Sequence, residues 1–149
     1  MNLSWKAIIS AAAVMIFSSM MSIGCGFALV IAKAKDPGAV QAMLSGSFFQ
    51  TELMLNGGAI GTVGLVAGYV IGPFLAGFLL GYLAQSNPRM HLHVFAVVVA
   101  FAWMFGVITD SSAQGVGSAL LFSSLGVLLL LSGGYWASWR RARVITSSR

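Results

Sequence analysis

The chain has very little charge. Its 149 residues include only three acids and eight lysines or arginines, so that 7% are charged while 58% are hydrophobic. A soluble domain carries roughly 25% charged residues, and a chain of this length cannot bury so much apolar surface in water. The composition therefore excludes a soluble enzyme and predicts a membrane protein.

Cysteine and catalytic patterns are also scarce. Cys25 is the single cysteine, so the chain can form neither an internal disulfide nor a dithiol relay. The sequence has no glycine-rich phosphate loop, nucleophile elbow or pair of neighbouring carboxylates. Because no pattern anchors an enzymatic reaction, we expect a non-catalytic protein with no cofactor and no metal site.

Four apolar runs approach or exceed the roughly 20 residues that cross a bilayer core of about 30 Å. The predicted fold is therefore an all-α integral membrane domain with four transmembrane helices, followed by a basic tail at 140–149. The predicted spans are 7–32, 57–84, 92–109 and 116–139.

The loop charges predict the orientation of these spans. With both termini in the cytoplasm, only two of the eight basic residues, Lys33 and Lys35, lie outside, which agrees with the positive-inside rule. This orientation fits the inner membrane of a bacterium. The net charge of +5 does not indicate a nucleic-acid partner, because the basic residues lie at span ends and form no groove-tracking patch. The basic residues inside are then Lys6, Arg89, Arg140, Arg141, Arg143 and Arg149.

Aromatic and basic side chains near the cytoplasmic ends are typical anchors at the lipid headgroups. The aromatic anchors support the same orientation independently of the loop charges. The predicted anchors are Trp5, Tyr82, Trp136, Trp139, Arg140 and Arg141.

Glycines in the second span recur every three or four residues, which places them on one narrow stripe of a helix. Small residues allow close packing of helices in lipid. This packing either lies within one chain or joins the chain to partner subunits or to copies of itself. The stripe consists of Gly57, Gly61, Gly64, Gly68 and Gly72.

Pro73 follows this stripe directly and removes a backbone hydrogen bond near the middle of the span. Neighbouring helices accommodate such a proline in many membrane proteins, and a gating hinge is the alternative. The long outer loop contains a helical pattern at 38–56, which predicts either a short amphipathic surface helix or an extension of the second span.

Four polar residues are the remaining candidates for chemistry. Glu52 and Asp110 lie outside the apolar runs, and no ionisable group lies deep in a span, which argues against a proton-coupled pump. His91 and His93 lie at the inner mouth of the third span. Two residues apart, they point to different helix faces and lack the partners of a metal site, so we expect headgroup contact for both.

Three functions remain open. The leading hypothesis is a non-catalytic membrane subunit that packs against partner or self helices through the glycine stripe. The second is a small oligomeric channel or transporter with Pro73 as its hinge. A membrane enzyme using the four polar candidates is the third.

Overall fold

The computed structural model describes residues 4–32, 57–84, 87–109 and 113–147. Within these ranges only Ser4, Gly57, Ala84 and Asn87 lie outside helices, and there is no strand. The all-α prediction is therefore confirmed for this part of the chain. The predicted outer-loop helix at 38–56, together with Glu52 and Asp110, lies outside the described residues.

Four long helices follow one another along the described ranges. The second contains a π-helical turn, Val66–Ile71, between the α-helical segments Gly58–Leu65 and Gly72–Leu83. The helices are α1 (Trp5–Ala32), α2 (Gly58–Leu83), α3 (Pro88–Thr109) and α4 (Ala113–Ser147).

Three of these helices are long and apolar enough to cross a membrane. They are α1, α2 and the Leu120–Arg143 part of α4. The described apolar part of α3, Pro88–Met104, is shorter, so the fourth crossing stays a prediction. Helix α4 continues through the basic tail as far as Ser147.

The boundary between α2 and α3 has a local cause. Asn87 adopts a left-handed conformation with φ of 48°, which asparagine tolerates better than most residues. Pro88 then occupies the first helical position, where its missing N–H is no loss. The carbonyl of Asn87 accepts bonds from the N–H groups of Met90 and His91, so the new helix is closed within one turn.

Helix α2 lies at the centre of the bundle. Its segment Gly72–Leu83 packs against α4 and α1, while α3 packs mainly against α4. A hydrogen bond joins Ser4, before α1, to His91 in α3, and another joins Arg141 in α4 to Ala84 at the end of α2. Successive helices are therefore antiparallel. We call the end where these groups meet the basic end (residues 4–6, 82–84, 87–93 and 135–143).

The interior of the bundle is built largely from small side chains. Ala7, Ala11 and Ala76 are fully buried, and Leu80 and Leu130 are among the larger side chains packed with them. Many large apolar side chains lie outside, including Phe17, which is 66% exposed. Close helix contact through small residues, with bulky residues outside, is the arrangement typical of helices packed in lipid.

Candidate functional site

The predicted glycine stripe lies against α1 of the same chain. Gly61, Gly64 and Gly72 are buried, and Gly68 is half-buried. The Ser22 hydroxyl donates a hydrogen bond of 2.9 Å to the carbonyl oxygen of Gly64. A Cβ atom added to Gly68 would lie 2.7 Å from that Ser22 hydroxyl oxygen.

The two ends of the stripe differ from each other in burial. Gly57 is half-buried and precedes α2. At the other end, a Cβ atom on Gly72 would overlap the side chain of Ser18. The small side chains of α1 thus fill the space over Gly68 and Gly72, and the use of the stripe toward a partner stays a prediction.

A second glycine contact, which the sequence analysis did not single out, joins α2 to α4. A Cβ atom on Gly77 would overlap the backbone of Leu130, and one on Gly81 would overlap the backbone of Gly134. From the α4 side, a Cβ atom on Gly133 would overlap the backbone at Phe74. The signal available in the sequence was the spacing of four between Gly77 and Gly81 together with the Gly133-Gly134 pair.

Pro73 lies just after the π-helical turn and is almost fully buried. In a regular α-helix its ring would meet the carbonyl four residues earlier, at Tyr69. The wider turn at Val66–Ile71 displaces that carbonyl, and the Gly72 N–H bonds to the carbonyl of Ala67, five residues back. Helix α2 therefore continues to Leu83 instead of ending at the proline.

A small cavity of about 150 Å³ opens beside this turn, between α1, α2 and α3. The Ser19 hydroxyl donates to the carbonyl of Met15, and the Tyr69 ring packs against Trp103 with 6.2 Å between ring centroids. The hydroxyl, indole and carbonyl groups there are all uncharged. The cavity is lined by Ser19, Ser22, Ile23, Gly68, Tyr69 and Trp103.

A larger groove of about 440 Å³ runs between α1 and residues 62–75 of α2. Val14 and Phe17 line it from α1, and Val63, Val66 and Leu75 line it from α2. Its surface is almost entirely apolar, because hydrocarbon side chains dominate the lining. The hydroxyls of Ser18 and Thr62, which also line it, donate to the carbonyls of Met15 and Gly58 in their own helices. The groove suits an apolar helix or a lipid chain.

At the basic end, His91 has a different environment from the one predicted. Its ring is buried, with 2% exposure, instead of meeting lipid headgroups. The Ser4 N–H donates to Nε2 at 2.9 Å, and Nδ1 lies 3.0 Å from the carbonyl oxygen of Asn87. A carbonyl only accepts and an N–H only donates, so the ring carries its proton on Nδ1. The prediction of headgroup contact is wrong for His91 because its helix face turns toward the start of α1.

His93 is exposed on another face of α3, as the spacing of two predicts. Its Nδ1 lies 2.7 Å from the carbonyl oxygen of Arg89, and its Nε2 lies 3.4 Å from the Tyr135 hydroxyl. His91 thus contacts Ser4, just before α1, whereas His93 contacts Tyr135 in α4. Among the described residues there is no group of three or more metal-binding side chains.

Arg141 closes the end of α2. Its guanidinium donates to the carbonyl of Ala84 at 2.9 Å and to that of Tyr82 at 3.4 Å. The last carbonyls of a helix have no partner within it and carry partial negative charge. Arg141 is half-buried, and its predicted role as a headgroup anchor stays a prediction beside this contact with the end of α2.

The other predicted anchors in α4 form stacked pairs. The guanidinium carbon of Arg140 lies 4.6 Å from the ring centroid of Trp136, and that of Arg143 lies 3.7 Å from that of Trp139. The four side chains are exposed. A guanidinium over an indole face is a favourable cation–π arrangement.

The tryptophan of the first pair also rests on an aromatic row of α2. The ring centroid of Trp136 lies 6.0 Å from that of Phe74 and 5.5 Å from that of Phe78, and Phe78 stacks on Tyr82. These contacts fix the height of Trp136 along the bundle. Trp5, the anchor predicted at the start of α1, is 66% exposed at the same end.

A scan against protein-family models matched none of them, and searches of curated proteins and of solved structures found no similar chain.

Proposed function

We propose that this chain is a non-catalytic, multi-pass membrane subunit that associates with the transmembrane helices of a partner or of a second copy. The distribution of side-chain size carries the proposal. Glycine, alanine and serine lie between the helices, whereas Ile31 and Phe101 are 74% and 73% exposed. Large apolar side chains on the outside match lipid or other membrane helices.

In this proposal all four helices cross the bilayer. Helix α3 has 22 residues, which corresponds to about 33 Å at 1.5 Å per residue and is enough for a core of about 30 Å. Its antiparallel contacts with the neighbouring helices favour a full crossing.

The proposed orientation has both termini in the cytoplasm. Lys6, Arg89 and Arg141 belong to helix ends that meet at the basic end. Apart from Lys33 and Lys35, every basic residue of the chain lies in the termini or near this end in sequence. The positive-inside rule assigns such an end to the cytoplasm.

The glycine stripe contributes to the proposed association at the edge that faces the apolar groove. Helix α1 covers its buried glycines, yet Gly72 also lines the apolar groove between α1 and α2. We propose that one apolar helix of a partner or a second copy occupies this groove. Val63, 54% exposed, lies in the groove and is a suitable position for a test.

The test compares two valine-to-tryptophan substitutions. Val63→Trp fills the groove, so we expect loss of the associated chain in cross-linking within native membranes and in mild-detergent co-purification. Val97→Trp places the same bulk on α3 at a side chain that is 53% exposed, and it should leave association intact. A wild-type chain that is monomeric in both assays, or a Val63→Trp protein that still associates, would contradict the proposal.

A small channel or transporter is the second candidate, because two observations favour it. The π-helical turn precedes Pro73, and an uncharged polar cavity opens beside it. Irregular backbone at membrane depth is found where it is buried in protein or lines a cavity. Flux of water and small neutral solutes into vesicles containing the protein would support this candidate if Pro73→Ala changed the rate, and vesicles as tight as protein-free ones would exclude it.

A further inference from the structure

The basic end combines positive charge from several helices with no acid in the segments that meet there. Lys6 and Arg89 are exposed at the starts of α1 and α3, and Arg140 and Arg143 are exposed on α4. The stretches 1–32, 57–109 and 111–149 contain no aspartate or glutamate. In the sequence, the three acids fall between α1 and α2 and between α3 and α4.

The arginines at this end are not equivalent. Arg141 is engaged with the carbonyls of Tyr82 and Ala84. Arg140, in contrast, rests with its flat face on Trp136. The N–H donors of a guanidinium lie in its plane, so this stacking holds the side chain in place while its edge remains available to an oxyanion.

Phosphate is the oxyanion that this arrangement matches. A guanidinium edge binds phosphate oxygens with two parallel hydrogen bonds. Arg143 on Trp139 repeats the Arg140–Trp136 arrangement three residues later, which places two stacked arginines on neighbouring parts of α4. Exposed tryptophans in membrane proteins lie at headgroup depth, where the phosphates of lipids are found.

We propose that the stacked Arg140–Trp136 pair, with the charge of Arg143 on Trp139 beside it, binds the phosphate of an anionic phospholipid in the leaflet at the basic end. Arg141 is a structural residue and takes no part in this site. The site rests on the proposed membrane insertion. A defined site differs from diffuse attraction of anionic lipids. Diffuse attraction depends on the number of charges and not on which arginines carry them.

Native mass spectrometry of the detergent-purified chain tests the site, with phosphatidylglycerol and phosphatidylcholine of identical acyl chains added at equal concentration. We expect phosphatidylglycerol to be retained preferentially. Arg140→Gln combined with Arg143→Gln should lower this preference at least about tenfold, since the charge-assisted hydrogen bonds of Arg140 to the phosphate are lost together with the neighbouring charge of Arg143. Arg141→Gln should lower the unfolding temperature and leave the preference unchanged.

The matched control removes the same number of charges from the same end. Lys6→Gln combined with Arg89→Gln should change the preference less than about threefold, because an exposed charge without a fixed geometry contributes little and neither side chain stacks on a tryptophan in the part of the chain that the structure describes. An equal loss in both double variants would overturn the site in favour of diffuse attraction. Displacement of the lipid by free glycerol 3-phosphate would overturn it in favour of a soluble phosphate.

Failure of this inference is distinguishable from failure of the proposed function. Extraction of membranes at alkaline pH reports whether the chain is integral. An integral chain that shows no preference for phosphatidylglycerol refutes the lipid site alone, whereas a chain released by this treatment refutes the membrane assignment itself.

Discussion

Two histidines, two positions apart, have different roles at the basic end. Their spacing predicts different helix faces, and this is what the structure has. Nothing in the sequence around His91 indicates that Ser4 lies beside it, since 87 positions separate the two residues. A hydrogen bond between distant positions depends on how α1 and α3 pack. Residue types and local spacing therefore predicted the faces but not the burial of His91.

The His91 contact leads to a prediction at the residue scale. His91→Ala removes the acceptor for the Ser4 N–H and leaves that donor without its partner, which costs roughly 1–3 kcal/mol of the free energy of unfolding. His93→Ala, at an exposed ring with a long 3.4 Å contact to Tyr135, should change it by less than about 0.5 kcal/mol. Reversible unfolding in mixed micelles measures both, and equal effects would refute a stabilising role of the hydrogen bond between Ser4 and His91.

At the scale of the helices, the apolar runs predicted where helices form, but the contacts between these helices were only partly predictable. The spacing of Gly61, Gly64 and Gly72 predicts a close helix neighbour, but not that α1 would provide it. The contact of Gly77 with Leu130 was missed, because Leu130 is an ordinary apolar residue whose backbone becomes important only through its position in α4. Long-range register is not encoded in any local pattern.

The contact between α2 and α4 gives the prediction at this scale. Gly77→Ala should lower the free energy of unfolding by about 1–3 kcal/mol, since the added methyl group meets the rigid backbone of Leu130. Gly24→Ala, on an exposed face of α1 with nothing within 4 Å of the added Cβ, should raise it by up to about 1 kcal/mol through helix propensity. Thermal unfolding of the two variants in the same detergent is the measurement. If Gly77→Ala were as stable as Gly24→Ala, the α2–α4 crossing would have to be looser than described.

At the scale of the whole molecule, composition predicted a membrane chain, and the length of the apolar runs predicted that it is all-α. Low charge leaves no other way to cover so much apolar surface, and the helices bear this out, three of them with the length and hydropathy to cross a bilayer. The basic end shows what composition does not reveal. Its charged and aromatic residues come from four separate segments, and only the packing of the helices shows that Arg141 turns inward while Arg140 and Arg143 stay exposed.

The number of crossings is the central claim, and it depends on α3. If α3 crosses the membrane, both termini lie on one side; if it lies on the surface, they lie on opposite sides. Cysteines introduced by Asn2→Cys or Ser148→Cys in a Cys25→Ser background can be labelled with an impermeant maleimide in right-side-out and inside-out vesicles. The four-crossing account predicts that both positions react from the cytoplasmic side and that Ser111→Cys reacts from the other side. Labelling of positions 2 and 148 from opposite sides would contradict it.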